Sequence, residues 1–377
     1  MKWEKKKLCE CTEYITDGDH QPAPKADKGV HFIKIKDIVN NQVSFDAQVY
    51  VPQEYYDNLP MERKPQKEDV LYTIVGSFGI PSYVQTDELF CFERNIALLH
   101  PNKDIEPRFL YYSLKNPAFY KGVEIVANGS AQKLIPLSKL KDLKILVPDK
   151  EAQRHIADIL SAYDDLIENN QRQIKLLEEA AQRLYKEWFV DLNFPGHENT
   201  KIVDGVPEGW SRGLLKELIS VNYGKDHKKA PDDGNIPVYG SGGLMRKCNK
   251  SLFSGEAVLI PRKGSLNNIM YVDETFWTVD TMFYATMKQP HTAVFVYFFV
   301  KAFDMYSMNI GAAVPRMTTK ILDAMDVVIP DKETLEKFDK LTKTYFNKIK
   351  TLQGQNERLK IARDLLLPKL MSGEVEV

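Results

Sequence analysis

Apolar positions in the middle of the chain follow a strict four-three step. They run Ile156, Leu160, Tyr163, Ile167, Asn170, Ile174, Leu177, Ala181, Leu184 and Trp188, and only Asn170 is polar. That spacing holds one narrow stripe on a helix, the seam of a coiled coil. A second stripe with the same steps runs Phe338, Thr342, Tyr345, Ile349, Leu352, Asn356, Leu359, Arg363, Leu366 and Leu370, with Thr342, Asn356 and Arg363 as its exceptions. A lone amphipathic helix lying on its own domain would show such a stripe too. Two matched stripes, each with an internal Asn, favour the two helices pairing with each other. Before each stripe the pattern changes. Lys144–Val147 and Asp326–Ile329 are short apolar runs of β type, each followed by Pro-Asp (Pro148-Asp149 and Pro330-Asp331), a strand stop and helix N-cap.

These two runs are part of an internal repeat. Lys144–Glu151 matches Asp326–Glu333 at an offset of 182 residues. Phe109–Lys115 echoes Phe295–Lys301, and Asp69-Val-Leu with Gly76-Ser77 echoes Ala257-Val-Leu with Gly264-Ser265. Gly129-Ser130-Ala131 stands where Gly311-Ala312-Ala313 stands, and Trp3 to Leu8 echoes Trp210 to Leu215. The chain is read as a tandem duplication of a mixed α+β globular unit and a long helix. The boundaries are 1–148 for the first unit, 149–192 for its helix, 193–208 for a linker, 209–330 for the second unit, and 331–377 for the second helix and tail.

Composition narrows the class. With 377 residues, 43% hydrophobic and 27% charged, the chain has room for two or three cores. The longest apolar run, Val294–Val300, is too short to span a membrane and ends at Lys301. The start, Met1-Lys2-Trp3-Glu4-Lys5, is charged at once and lacks a signal peptide's apolar core. Four cysteines are too few for a disulfide scaffold, so a reducing, cytoplasmic location is expected. A net charge of −1 argues against a wholly basic DNA-coating protein. The charge is uneven, however: residues 151–200 carry 5 basic and 10 acidic groups, while Val221–Asn268 carries eight Lys/Arg against four acids. Such a patch fits selective contact with nucleic acid, or simply a solvated loop surface.

The segments Ile135–Val147 with Pro148, Glu151-Ala-Gln-Arg-His-Ile-Ala-Asp-Ile-Leu160 and Asp164-Asp-Leu-Ile-Glu168 resemble the helical region of type I restriction-modification specificity subunits. Trp188-Phe-Val-Asp-Leu-Asn-Phe-Pro-Gly196 and Val206-Pro-Glu-Gly-Trp210 resemble that family's inter-repeat linker and second-domain start. In the second helix, Thr334-Leu-Glu-Lys-Phe338 departs from the pattern at Gln153–Ile156. The resemblance implies two tandem target recognition domains, each reading one half of a split, asymmetric site on double-stranded DNA. It also implies that the helices form an antiparallel coiled coil with pseudo-two-fold symmetry, serving as spacer. Two adenine methyltransferase subunits would clamp around it, and restriction/translocase subunits could join. Within that arrangement, Asn170 facing Asn356 makes paired residue numbers sum to 526, placing Trp188 by Phe338, Ala181 by Tyr345 and Tyr163 by Arg363. Two other classes stay open: a coiled-coil assembly protein whose globular units bind protein, and a recognition subunit of another methyltransferase-nuclease system.

No catalytic centre, metal site or cofactor is expected. Asn193-Phe-Pro-Gly196 lacks the second proline and aromatic of an adenine methyltransferase loop. Tyr239-Gly-Ser-Gly-Gly243 does not open a βαβ pattern, and no phosphate-binding Gly-Lys-Ser/Thr loop exists. Cys9-Glu-Cys11 has no second ligand pair, and Asp149-Lys-Glu151 with Asp331-Lys-Glu333 reads as helix capping. Bases are read by Arg, Lys, Asn, Gln, Ser and Thr, and phosphates are approached through glycine turns. By residue type and place, the first unit offers His20, Lys25, Lys28, Ser77, Ser130, Gln132 and Lys133 as DNA contacts. The second offers Lys225, His227, Lys228, Lys229, Arg246, Lys247, Arg262, Lys263, Ser265, Asn267 and Arg316. An ordinary surface role is an equal reading for each.

Overall fold

A computed structural model describes residues 2–127, 133–308 and 316–377, without the side chain of Lys229. The chain forms two compact units: residues 1–170 with 354–377, and residues 171–353. Each unit therefore holds one globular region and a stretch of both long helices, Lys150–Tyr185 and Lys332–Ser372.

The first unit is built on a four-stranded antiparallel sheet with strand order Thr12–Asp17, Ile96–Pro101, Val70–Thr73, Pro81–Tyr83. The near-continuous apolar character of Val70-Leu71-Tyr72 and Ile96–Leu99 follows from burial on both faces. One face packs on the helix Pro107–Lys115, which buries Phe109, Leu110, Tyr112 and Leu114. A separate three-stranded piece pairs Val30–Ile33 in parallel with Phe90–Phe92. The ribbon Glu4–Lys7 with Lys144–Val147 brings the start and end of the region together.

The second unit repeats this plan. Ile219–Tyr223, Met282–Met287, Phe253–Pro261 and Met270–Thr278 stand in the same antiparallel order. The strand Met270–Thr278 continues to a parallel pairing with Ile236–Gly240, which turns back into Gly243–Cys248. In the first unit the corresponding stretch is broken into Pro81–Tyr83 and Phe90–Phe92 by the polar Gln85-Thr86-Asp87-Glu88. The apolar run Val294–Val300 lies in the core helix Ala293–Lys301, buried except for the half-exposed Phe299. The two core helices share a detail: Lys115 donates to the Tyr111 hydroxyl at 3.1 Å, and Lys301 to the Tyr297 hydroxyl at 2.8 Å. Ser211–Leu214 with Asp326–Ile329 closes the region as its counterpart does.

Both long helices start on the Asp of Pro-Asp. Asp149 Oδ1 accepts from Ala152 N, and Asp331 Oδ1 from Thr334 N, each at 3.0 Å. Asp331 also takes Trp210 Nε1 at 2.9 Å, tying the second helix to the start of its region. Asp149 and Asp331 are thus the helix caps that the sequence predicts.

Within the first unit, the two helices run antiparallel along the predicted seam. Ile156 and Leu160 share a core with Leu367 and Leu370, and Leu366 packs against it. Asn170 Nδ2 donates to Asn356 Oδ1 at 2.9 Å, and Asn356 Nδ2 reaches the Ile167 carbonyl at 3.4 Å. In the second unit the rings of Trp188 and Phe338 lie 5.9 Å apart, so the Asn and ring pairs both sum to 526. The polar exceptions have partners. The Thr342 hydroxyl donates to the Phe338 carbonyl at 2.8 Å. Arg363, set opposite Tyr163 by this register, turns its guanidinium to the neighbouring Asp164 and to Asp364. A buried guanidinium needs a charge partner more than it needs a ring. The first helix ends in a wide turn, Lys186–Val190, that points both Trp188 and Phe189 inward. The stretch after it is more than a tether: Phe194 is buried, its ring centre 4.8 Å from that of Trp210 and tilted 37° to it.

Candidate nucleic-acid interface

In both units a glycine-serine turn leaves the second central strand of the sheet. The first spans Gly76-Ser77-Phe78-Gly79, between Val70–Thr73 and Pro81–Tyr83. The second spans Gly264–Ile269, between Phe253–Pro261 and Met270–Thr278. Gly79 and Gly264 hold φ of 84° and 83°, a region costly for residues with a Cβ. A Cβ on Gly79 would also stand 2.5 Å from the Tyr120 ring, and one on Gly264 2.5 Å from Ser241 Oγ.

Each turn is laced to the segment that precedes its unit's short closing helix. In the first unit Gly76 N donates to Lys133 O at 3.2 Å, and Ile135 N to Ile74 O at 2.9 Å. In the second, Met317 N donates to Arg262 O at 3.0 Å. This lacing brings Ser77 beside Lys133, whose ammonium lies 5.5 Å from the Phe78 ring centre. It likewise brings Arg316, next to Met317 in the chain, towards Arg262 and the adjoining Lys263.

The other candidates fall elsewhere or are engaged. His20 is exposed, with Nε2 3.0 Å from Asp17 Oδ2, and Lys25 and Lys28 are exposed on the loop after it. Lys225, His227, Lys228 and Lys247 lie around the ribbon Ile236–Gly240 and Gly243–Cys248. Arg246 is committed to its own loop. It pairs with Asp232 and donates to the carbonyls of His227 and Ala230. Arg262 is half-buried between Tyr223 and Phe283, 4.9 and 5.2 Å from their ring centres, and bonds Asp280 O at 2.7 Å. Asn267 spends its amide on Asp304 Oδ1 and Met305 N. Ser130, Gln132 and the Lys229 side chain lie outside the described residues. The ribbon's own turn reaches the glycine-serine turn: Asn268 Nδ2 donates to Ser241 O at 2.8 Å. The Gly240–Gly243 string is accordingly a hairpin connection.

Two residues that the sequence reading passed over also contact the turns. Tyr120 stacks on Phe78, rings 5.8 Å apart and 13° from parallel. The Tyr306 hydroxyl donates to Gly264 O at 2.9 Å and accepts from Leu266 N at 3.2 Å. Both stand five residues past the matched ends Lys115 and Lys301, at the offset of 186 that aligns Phe109 with Phe295. Extending that alignment would have found them.

The geometry offers backbone donors, hydroxyls and cations on two equivalent turns. Among the described residues no three His, Cys, Asp or Glu side chains gather as a metal set, and no helix is long and apolar enough to cross a membrane. Two repeats of one α+β plan, each feeding a long helix, define a tandem-domain protein with a helical connector. The type I restriction modification DNA specificity domain matches residues 1–179 and 207–360, and the chain belongs to that family. It is 26% identical to the type I restriction enzyme MjaIX specificity subunit of Methanocaldococcus jannaschii, over 75% of this chain and 72% of that one. It is 23% identical to the HindI specificity subunit of Haemophilus influenzae, over 92% and 94%. The fold is that of the type I restriction-modification S subunit from M. genitalium, with a TM-score of 0.66 at 20% identity, covering 98% of this chain and 96% of that one.

Proposed function

We propose that this chain is the DNA sequence-recognition subunit of a type I restriction-modification complex. Each recognition domain, 1–148 and 209–330, reads one half of a bipartite site, and the helices set the spacer and dock two methyltransferase subunits. Restriction/translocase subunits join that core, which works on cytoplasmic DNA. The observation that carries this reading is the pair of corresponding glycine-serine turns on sheets that share four strands in the same order. Duplicated readers suit a split site, because each half is contacted by the same face of the same plan.

The chain contributes recognition and leaves the chemistry to its partners. Asp149 and Asp331 are occupied as helix caps, and the Gly240–Gly243 string as a hairpin. Purified alone, the chain is expected neither to methylate nor to cut DNA; with a methyltransferase subunit it is expected to bind a bipartite duplex. Methyl transfer by the isolated, contaminant-free chain would overturn this assignment.

A further inference from the structure

Tyr120 and Tyr306 occupy equivalent places in the two repeats, both partly exposed, and each touches the glycine-serine turn of its own domain. Their chemistry differs. Tyr120 works through its ring: it stacks on Phe78 and lies under Gly79, where any Cβ would collide with it. Tyr306 works through its hydroxyl, which bridges the carbonyl of Gly264 and the amide of Leu266 across the turn. Asn267 adds a second tie from the same turn to Asp304 and Met305, so the segment carrying Tyr306 is fastened at two points.

From this we infer that Tyr120 and Tyr306 are positioning residues, one per recognition domain, that hold the glycine-serine turn in the shape that reads its half-site. The inference rests on the DNA-recognition reading above. The first turn carries two glycines at positive φ, Gly76 and Gly79, and the second carries Gly264, so each has many accessible shapes when free. A rigid prop removes most of them before DNA arrives, and pre-organisation of this kind sharpens discrimination between right and wrong bases. Backbone amides and Ser77 or Ser265 on the turn are then presented at fixed positions. The props act only on the shape of the turn, so losing one changes which bases are accepted and leaves phosphate contacts made elsewhere in place.

The test uses the full complex with its methyltransferase subunits. The native site is found first by methylome sequencing, and methylation is then scored on duplex libraries with one half-site randomised and the other fixed. Tyr306→Phe keeps the ring and deletes the bridging hydroxyl. It is expected to lower discrimination about tenfold in one half-site only, as for the loss of about 1.4 kcal/mol. Tyr120→Phe keeps the stack and is expected to select as the parent does, whereas Tyr120→Leu relaxes the other half-site. Phe78→Leu removes the second ring of that stack and is expected to match Tyr120→Leu, which guards against one poorly folded variant. The salt dependence of binding stays at the parent slope in all four. Parent-like selectivity in both Tyr306→Phe and Phe78→Leu overturns the inference, as does relaxation of both half-sites by Tyr306→Phe. A parent complex that selects no bipartite motif overturns the DNA-recognition reading instead.

Discussion

Asp164 shows how single residues fasten a recognition domain to its helix. Its carboxylate takes the Tyr112 hydroxyl at 2.7 Å and faces Lys115 at 3.5 Å and the Arg363 guanidinium. Burial by itself would raise the carboxyl's pKa, but the charges of Lys115 and Arg363 and the Tyr112 hydroxyl outweigh it and hold the group below the usual range. A carboxyl depressed in the folded state contributes stability that is fully present above about pH 4 and fades as pH falls through the folded value. Asp164→Asn leaves the largely buried Lys115 without its counter-charge and Arg363 with Asp364 alone, an expected cost on the order of 3 kcal/mol. Chemical denaturation from pH 3 to 7 should show the variant's deficit at neutral pH shrinking towards acid; a deficit independent of pH would remove the carboxylate from the explanation. At the turns, the geometry separates cations that sequence alone left equal. Arg246 and Arg262 are held by carbonyls of neighbouring segments, whereas Lys263 adjoins the glycine-serine turn without such ties among the described contacts. Lys263→Ala is expected to weaken binding to all sequences alike and to lower the salt slope by about one unit. A change in sequence preference would make Lys263 a base contact. This distinction was invisible in the sequence because it depends on which carbonyls lie within reach, and those come from residues 16 to 19 positions away.

Among the elements, the long helices were the most legible. Strict periodicity is a local signal, and a narrow stripe leaves little freedom in what faces what. The capping Asp residues and the strands before them were equally plain, because Pro-Asp after an apolar run is punctuation. The broken strand of the first sheet and the inward wide turn at Lys186–Val190 were not, since each depends on packing against distant residues. The buried Asn170–Asn356 pair now makes an element-level prediction. Leu at position 170 alone strands the Asn356 amide, at an expected cost of about 1–3 kcal/mol. Leu at both positions restores or raises stability but loosens the register, because no polar pair then marks the alignment. Cysteines placed at 174 and 352 are expected to crosslink in the parent. In the double-Leu chain, crosslinks should spread to pairs whose numbers sum to 519 or 533. Crosslinking confined to 174 and 352 in both chains would mean that the apolar seam alone sets the register.

For the whole molecule, duplication is the organising fact, and it is legible in the sequence at an offset of 182. The sheet order, the closing ribbons and the lacing of each turn repeat with it. The identity of the target bases is not legible, since turns that read DNA follow no general code. If the helices act as a ruler, inserting one heptad in each, after Leu177 and before Ile349, preserves the seam. It lengthens the pair by about 10 Å and widens the unread spacer by up to about three base pairs. An active variant with an unchanged spacer would sink the ruler. The most direct test of the central claim, that the domains read separately, is methylome sequencing after domain exchange. Residues 209–330 are replaced by the second domain of a related specificity subunit, and the complex is expressed in cells. The account predicts a bipartite motif in which one half-site is new and the other unchanged, whereas a motif altered in both halves would contradict it.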